Sequence, residues 1–292
     1  MRIVGAAIYA AQMEPITQPA SGGHGQTKLA GRTAIVIGGA SGFGLATAEL
    51  LADAGAHVVI AGRRLDMAQA VAEQLGGSAF ACDITDDDQV QALVNGVIAA
   101  RGRIDACVNY AGYEQSTPLK DLTPEIMKPM VEVQFIGAVY VIRHVANAMV
   151  AAGNGGSIIS ISSLTAQNPS VGQLAYAASK KALEYATQIA AVEYGAHNIR
   201  VNCIAPHLIE TPMTERIFKR RIIVEAVKNQ TPLGRMGHVD DVAKCALYLA
   251  ADDSGYISGQ TICVDGGASL LKLPSAQDFE YLAKVRPELL AP

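Results

Sequence analysis

Long runs of one charge are missing from this 292-residue chain, in which charged residues make up 17% and the formal net charge is −4. The one basic cluster, Lys219-Arg220-Arg221, reads as a solvated helix face, which argues against nucleic acid as the main partner. The five cysteines (Cys82, Cys107, Cys203, Cys245, Cys263) include no CxxC pair, and their number is odd. They read as buried, reduced thiols in a reducing compartment, so a cytoplasmic location is expected. The six histidines show no HxxxH or HExxH spacing, so no metal site is indicated. No apolar run approaches the length of a transmembrane helix, so no membrane partner is expected. Nor is there linker-like composition between residues 30 and 270, or a repeat of solenoid length, so no second domain is visible.

What the chain does have is apolar residues, half of the total, enough for one well-buried core. Short runs rich in Val, Ile and Ala, without internal Pro, read as buried strands: Thr33–Ile37, Val58–Ala61, Ala79–Cys82, Ala106–Asn109, Ser157–Ser162, Arg200–Ile204 and Thr261–Val264. Helical patterns lie between them: Leu45–Ala54, Met67–Leu75, Asp87–Ala100, Pro124–Ala151, Tyr176–Tyr194 and Val239–Ala250. This alternation predicts an α/β fold, a single doubly wound domain with seven parallel strands and helices on both faces. Its expected limits are 29–270, after an N-terminal extension (1–28) and before a C-terminal tail (271–292). Arg2 and the apolar stretch Ile3–Ala11 look mildly like a signal peptide, but the run is short and a linker-like segment follows. A mobile or surface-docked extension is the favoured reading. Pro129 predicts a break or kink in the long helix. The 206–232 connection is long enough for a lid or binding loop, with room for a helix over Pro212–Val227.

Three stretches carry chemistry. Gly38-Gly39-Ala40-Ser41-Gly42-Phe43-Gly44 follows the first strand and enters a helix. Such a turn lets backbone approach a ligand closely and presents free N–H groups and a positive dipole end to a pyrophosphate. It could also be purely structural. Tyr176 and Lys180 stand four apart in a helix-forming stretch and share one face. An ammonium beside a phenol favours the phenolate, so the pair could trade a proton with a carbonyl or alcohol oxygen. By itself the same spacing also describes an ordinary surface pair. Ser163 offers a short hydroxyl for the same oxygen.

Taken together, Gly38-x-x-x-Gly42-x-Gly44, Asn109-Tyr110-Ala111-Gly112, Ser163, Tyr176-x-x-x-Lys180 and Asp265-Gly266-Gly267 resemble the classical short-chain dehydrogenase/reductases in order and spacing, over about residues 28–270. The resemblance implies a Rossmann-type sheet, a nicotinamide cofactor and hydride exchange with a small-molecule ketone or secondary alcohol. It makes Tyr176 the acid/base, with Lys180 on the nicotinamide ribose, Ser163 orienting the substrate oxygen, and Gln134 in the place of a fourth catalytic residue, an Asn. Cofactor contacts are implied for Gly38, Ser41, Gly42, Phe43 and Gly44 in the glycine turn. Asp83 and Ile84 are implied beside the adenine, and Asn109, Ala111 and Gly112 under its ribose. Tyr176, Lys180, Pro206, Ile209 and Thr211 are implied at the nicotinamide end. A homotetramer or homodimer is implied as well.

Departures from the family pattern are Ile37 for a Thr, Tyr110 for an Asn, His207 for a Gly, and Gln134. After the second strand, Gly62 offers no carboxylate for a ribose 2′-hydroxyl, while Arg63 brings a planar cationic fork suited to a 2′-phosphate. NADP(H) is therefore expected over NAD(H), which remains possible because Arg63 could instead stack on adenine. The 206–232 loop mixes apolar residues with the basic cluster, which permits a partly apolar substrate with an acidic group. The alternative to an oxidoreductase is a non-catalytic nucleotide-binding redox sensor, for which an intact Ser163, Tyr176 and Lys180 would have no use. A dehydratase or epimerase is the weaker third reading.

Overall fold

Runs of four to eight apolar residues, too short for helices and rich in β-branched side chains, pair side by side into one sheet. The strands are β1 (Thr33–Ile37), β2 (His57–Gly62), β3 (Ser78–Ala81), β4 (Ala106–Asn109), β5 (Gly156–Ile161), β6 (Ile199–Pro206) and β7 (Thr261–Val264). All pair in parallel, in the order β3-β2-β1-β4-β5-β6-β7. The computed structural model describes residues 27–219, 221–270 and 284–285. The extension and tail expected at 1–28 and 271–292 lie outside the described residues, apart from 27–28 and 284–285.

The helices are α1 (Gly42–Asp53), α2 (Leu65–Gln74), α3 (Asp87–Arg101), α4 (Pro124–Val131), α5 (Gly137–Ala152), α6 (Leu174–Tyr194), α7 (Glu215–Phe218), α8 (Arg221–Asn229) and α9 (Val239–Ala250). Alternate residues of each strand face opposite layers. Ile35 and Ile37 pack with Val90 and Leu93 of α3, Val141 of α5 and Leu183 of α6. Ala34 and Val36 pack with Leu51 of α1, Val71 of α2 and Val242 of α9. Burial on both faces explains why these strands read as continuous apolar runs rather than alternating ones. All five cysteines are free, and burial pushes Cys107 and Cys203 up to about 12 and Cys82 and Cys245 up to about 11.

Three sequence expectations need correction. The long helix does not break at Pro129. That proline removes the donor to the Glu125 carbonyl, in the first turn, where little helix lies upstream to be displaced. The irregularity falls later, at Glu132–Ile136, which is π-helical and joins α4 to α5. The resulting stretch Pro124–Ala152 is 29 residues long with mean hydropathy 1.5 over its most apolar window, so it does reach membrane-spanning length. Its buried residues (Val141, Ile142, Val145, Ala146, Met149) pack into the sheet's core instead. The 206–232 connection holds two helices, α7 and α8, rather than one.

The chain crosses from β3 to β4 on the other side of β1, so the strand order reverses there. The register levels Ile37 with Ala61 and with Asn109. Gly38, Gly62 and Tyr110 therefore leave the sheet at one edge, the place where open α/β sheets bind ligands.

Candidate active site

A cavity of about 770 Å³ opens along this carboxyl edge. At one end lies the glycine turn. Gly38 has φ +76, a left-handed conformation strained for any residue with a Cβ. A Cβ on Gly44 would lie 2.2 Å from the Gly38 carbonyl oxygen, so only glycine lets α1 start this close to the turn. Ser41 stands at the N-cap of α1 without capping it, and no acidic residue occupies the first turn. The first free N–H groups of α1 and its positive dipole end are thus kept for an anion. Arg63 and Arg64 line the wall beyond β2, and neither forms an ion pair among the described residues. These features fit the phosphates of a dinucleotide.

Every cofactor contact expected from the sequence lies on this wall except Asn109. Asn109 is buried beneath it, and its Oδ1 accepts from the Ala111 N–H at 3.0 Å, so it shapes the loop. Asp83 is on the wall, but its Oδ1 is already engaged by the N–H and Oγ1 of Thr85, at 3.0 and 2.8 Å. Tyr110 shows what its departure from the family pattern does. Its buried phenol meets Thr47 Oγ1 at 2.7 Å, tying the β4 edge to α1. Thr211 is fixed by Thr214, whose Oγ1 accepts from the Thr211 N–H at 2.9 Å.

Ser163, Tyr176 and Lys180 share the other end. Ser163 follows β5, and its Oγ accepts from the Thr165 N–H at 3.2 Å and the Thr165 hydroxyl at 2.9 Å. With both lone pairs taken, its own O–H proton is left to donate into the cavity. Lys180 is 2% exposed, donates from Nζ to the Ile161 carbonyl at 2.7 Å, and lies 5.7 Å from the centre of the Tyr176 ring.

The electrostatics run against the expectation that Lys180 lowers the phenol's pKa. Burial pushes Tyr176 up to about 12; the Ser163 hydrogen bond opposes this and the Glu114 charge adds to it. Burial also pulls Lys180 down to about 8. Desolvation is the largest cause of both shifts, because each charged form loses water here. At neutral pH the phenol therefore holds its proton.

Gln134 sits in the π-helical segment, 1% exposed. Its Nε2 donates to the Tyr113 carbonyl, which fixes the amide's orientation, and its buried Oε1 has no partner in the protein. His207 lines the same wall; burial lowers its pKa and Asp265 opposes that. Lys219 pairs with Glu215 at 2.7 Å in the open and does not line the cavity. Arg220 and the side chain of Arg221 lie outside the described residues.

Sequence reasoning missed Glu114 and Gln173. Both line the catalytic end, and Gln173 Nε2 donates to Glu114 Oε1 at 2.6 Å. Their neighbours were a signal of sorts: Glu114 closely follows Gly112, and Gln173 precedes Tyr176 by one turn.

Residues 38–269 match the family described as enoyl-(acyl carrier protein) reductase. A 3-oxoacyl-(acyl-carrier-protein) reductase of Thermotoga maritima is 38% identical over 82% of this chain and 98% of its own length. A short-chain type dehydrogenase/reductase of Mycobacterium ulcerans has a solved structure 35% identical to the chain, with a TM-score of 0.81, over 91% of this chain and 99% of that one. A gluconate 5-dehydrogenase of Burkholderia cenocepacia, solved in complex with NADP and tartrate, is 31% identical with a TM-score of 0.81, over 84% of this chain and 98% of that one. The glycine turn, the seven-stranded order and these similarities agree, and the chain belongs to the classical short-chain dehydrogenase/reductase family of NAD(P)-dependent oxidoreductases.

Proposed function

We propose that the protein is a ketoreductase, interconverting a ketone and a secondary alcohol, with Tyr176 as acid/base. The observation that carries this reading is that Ser163, Tyr176 and Lys180 share one wall with the glycine turn. When bound, a reduced nicotinamide supplies the hydride that forms the new C–H bond. Tyr176 gives its proton to the carbonyl oxygen, and its raised pKa keeps that proton available through the neutral range. Ser163 donates to the same oxygen and orients it. Lys180 holds the ribose and carries replacement protons. Cofactor oxidation with a panel of ketones tests this. Tight cofactor binding with no turnover on any ketone or alcohol would favour the redox-sensor reading instead.

NADP(H) is the proposed cofactor, resting on Arg63 and Arg64 and on the lack of a carboxylate at the end of β2. Arg63→Ala should raise KM for NADPH about 10- to 100-fold, the loss expected for a charge-assisted contact, and leave KM for NADH nearly unchanged. A wild-type preference for NADH in kcat/KM refutes it.

For Gln134 the proposal is a relay and positioning role, because its free Oε1 can accept from a water serving Lys180 while its Nε2 holds the Tyr113 loop. Gln134→Asn should keep or raise kcat and Gln134→Ala should lower it about tenfold, with His207→Ala acting mainly on KM. A silent Gln134→Ala, with an ionisation lost from the kcat–pH profile of His207→Ala, would transfer the role to His207.

A homodimer or homotetramer of cytoplasmic location completes the proposal. Tyr185, Ile189 and Val192 form an exposed apolar stripe on α6, at 66%, 45% and 68% exposure, suited to a second copy. Sedimentation equilibrium reads the state directly; a monomer at micromolar concentration would contradict it.

A further inference from the structure

Resting on the ketoreductase reading above, we propose that the substrate carries a hydroxyl beside its carbonyl, and that Glu114 and Gln173 select it. Two carboxylates line the cavity, and Asp83 lies at the glycine-turn end, bound to Thr85. Glu114 alone faces the chemistry, near enough to Tyr176 for its charge to act on the phenol. Gln173 stands at the N-cap of α6 yet does not cap it. Its amide is spent on Glu114, and that bond fixes which way the amide points. Gln173 Oε1 is thereby buried with no partner in the protein. The second oxygen of Glu114 likewise accepts no hydrogen bond from the described residues. The two loops that carry this pair are latched by the Thr117 N–H donating to the Gly172 carbonyl at 2.8 Å.

The result is a rigid corner made of acceptors. A hydroxyl on the substrate satisfies it; a methyl group leaves the acceptors unpaired; a carboxylate meets a like charge. A cationic amine would share the cavity with the Lys180 ammonium and both arginines, so a neutral hydroxyl fits best. This reverses the acidic substrate that the basic cluster in the 206–232 loop permits.

Three ketones of one length test the idea: 2-butanone, 3-hydroxy-2-butanone and acetoacetate. The hydroxyketone should exceed both others in kcat/KM by about tenfold or more. Glu114→Met should bring the ratio of hydroxyketone to butanone close to one. The conservative Glu114→Gln should raise acetoacetate about tenfold relative to butanone. A wild-type ratio near one, or ratios that neither variant changes, overturns the inference and leaves the ketoreductase reading standing. If no ketone is reduced, the functional reading fails, and binding decides the inference separately. In ligand-observed NMR titrations of Tyr176→Phe with NADPH present, the hydroxyketone should bind at least about tenfold tighter than butanone, and Glu114→Met should erase that difference. Equal affinities, or no binding, overturn it.

Discussion

Tyr176→Phe is expected to lower kcat about a thousandfold while the cofactor's dissociation constant stays within about threefold of wild type. A positioned acid contributes roughly 100- to 10,000-fold in rate. Lys180 Nζ is turned to the Ile161 carbonyl and serves the ribose and the relay, and Ser163 is a far weaker acid, so neither takes the phenol's place at the substrate oxygen. The ring itself keeps its packing in the variant, including its place 5.7 Å from Lys180 Nζ. What is lost is one hydroxyl, while the ring and its packing stay. The folded fraction should therefore barely change. Stopped-flow and steady-state rates, with cofactor affinity from fluorescence quenching, check both halves. A variant keeping more than a few per cent of the wild-type rate removes Tyr176 as the acid. A variant that loses cofactor affinity as well makes the phenol a binding group.

Much of this arrangement was legible in the sequence, for reasons that can be named. Strands buried on both faces must be apolar nearly throughout, so β1 and β4 could be bounded to the residue. Tyr176 and Lys180 lie one helical turn apart, and that geometry is fixed locally. The glycine turn is equally local, since the Gly44–Gly38 approach spans a few residues. What depended on depth or on two distant loops was out of reach. The direction of the Tyr176 shift depends on how much water is removed around the phenol, which spacing does not report. Asn109 sits one residue below the wall because β4 ends there, not because of its side chain. Glu114 and Gln173 are 59 positions apart and meet only because the loops after β4 and before α6 converge. The π-helical turn at Glu132–Ile136 carries no composition signature, and Pro129 pointed to the right helix but to an earlier turn.

Lys180→Met should abolish turnover while making the protein more stable at pH 7, and the gain should fade as pH rises. Lys180 is buried, and its ammonium has one protein acceptor, the Ile161 carbonyl. Its pKa falls from 10.5 to about 8, so the unfolded chain binds the proton more tightly than the folded one. Wherever the unfolded state holds more protons, stability rises with pH. Lys180 therefore costs about 3 kcal/mol at pH 7, and that cost is relieved between about pH 8 and 10.5. Methionine removes the cost but leaves the Ile161 carbonyl unpaired, a loss of about 1–2 kcal/mol. The net gain at pH 7 is about 1–2 kcal/mol. By pH 9.5 about 2 kcal/mol of the relief has already occurred in the wild type, so the variant should be level or slightly worse. Tyr176 and the buried cysteines carry raised pKa values and pull the other way above about pH 9. They are common to both proteins and cancel in the difference. Urea melts of the pair at pH 7 and 9.5 read that difference. A variant less stable than wild type at pH 7, with a gap that does not move with pH, would mean that Lys180 is a stabilising charge rather than one held at a cost for chemistry.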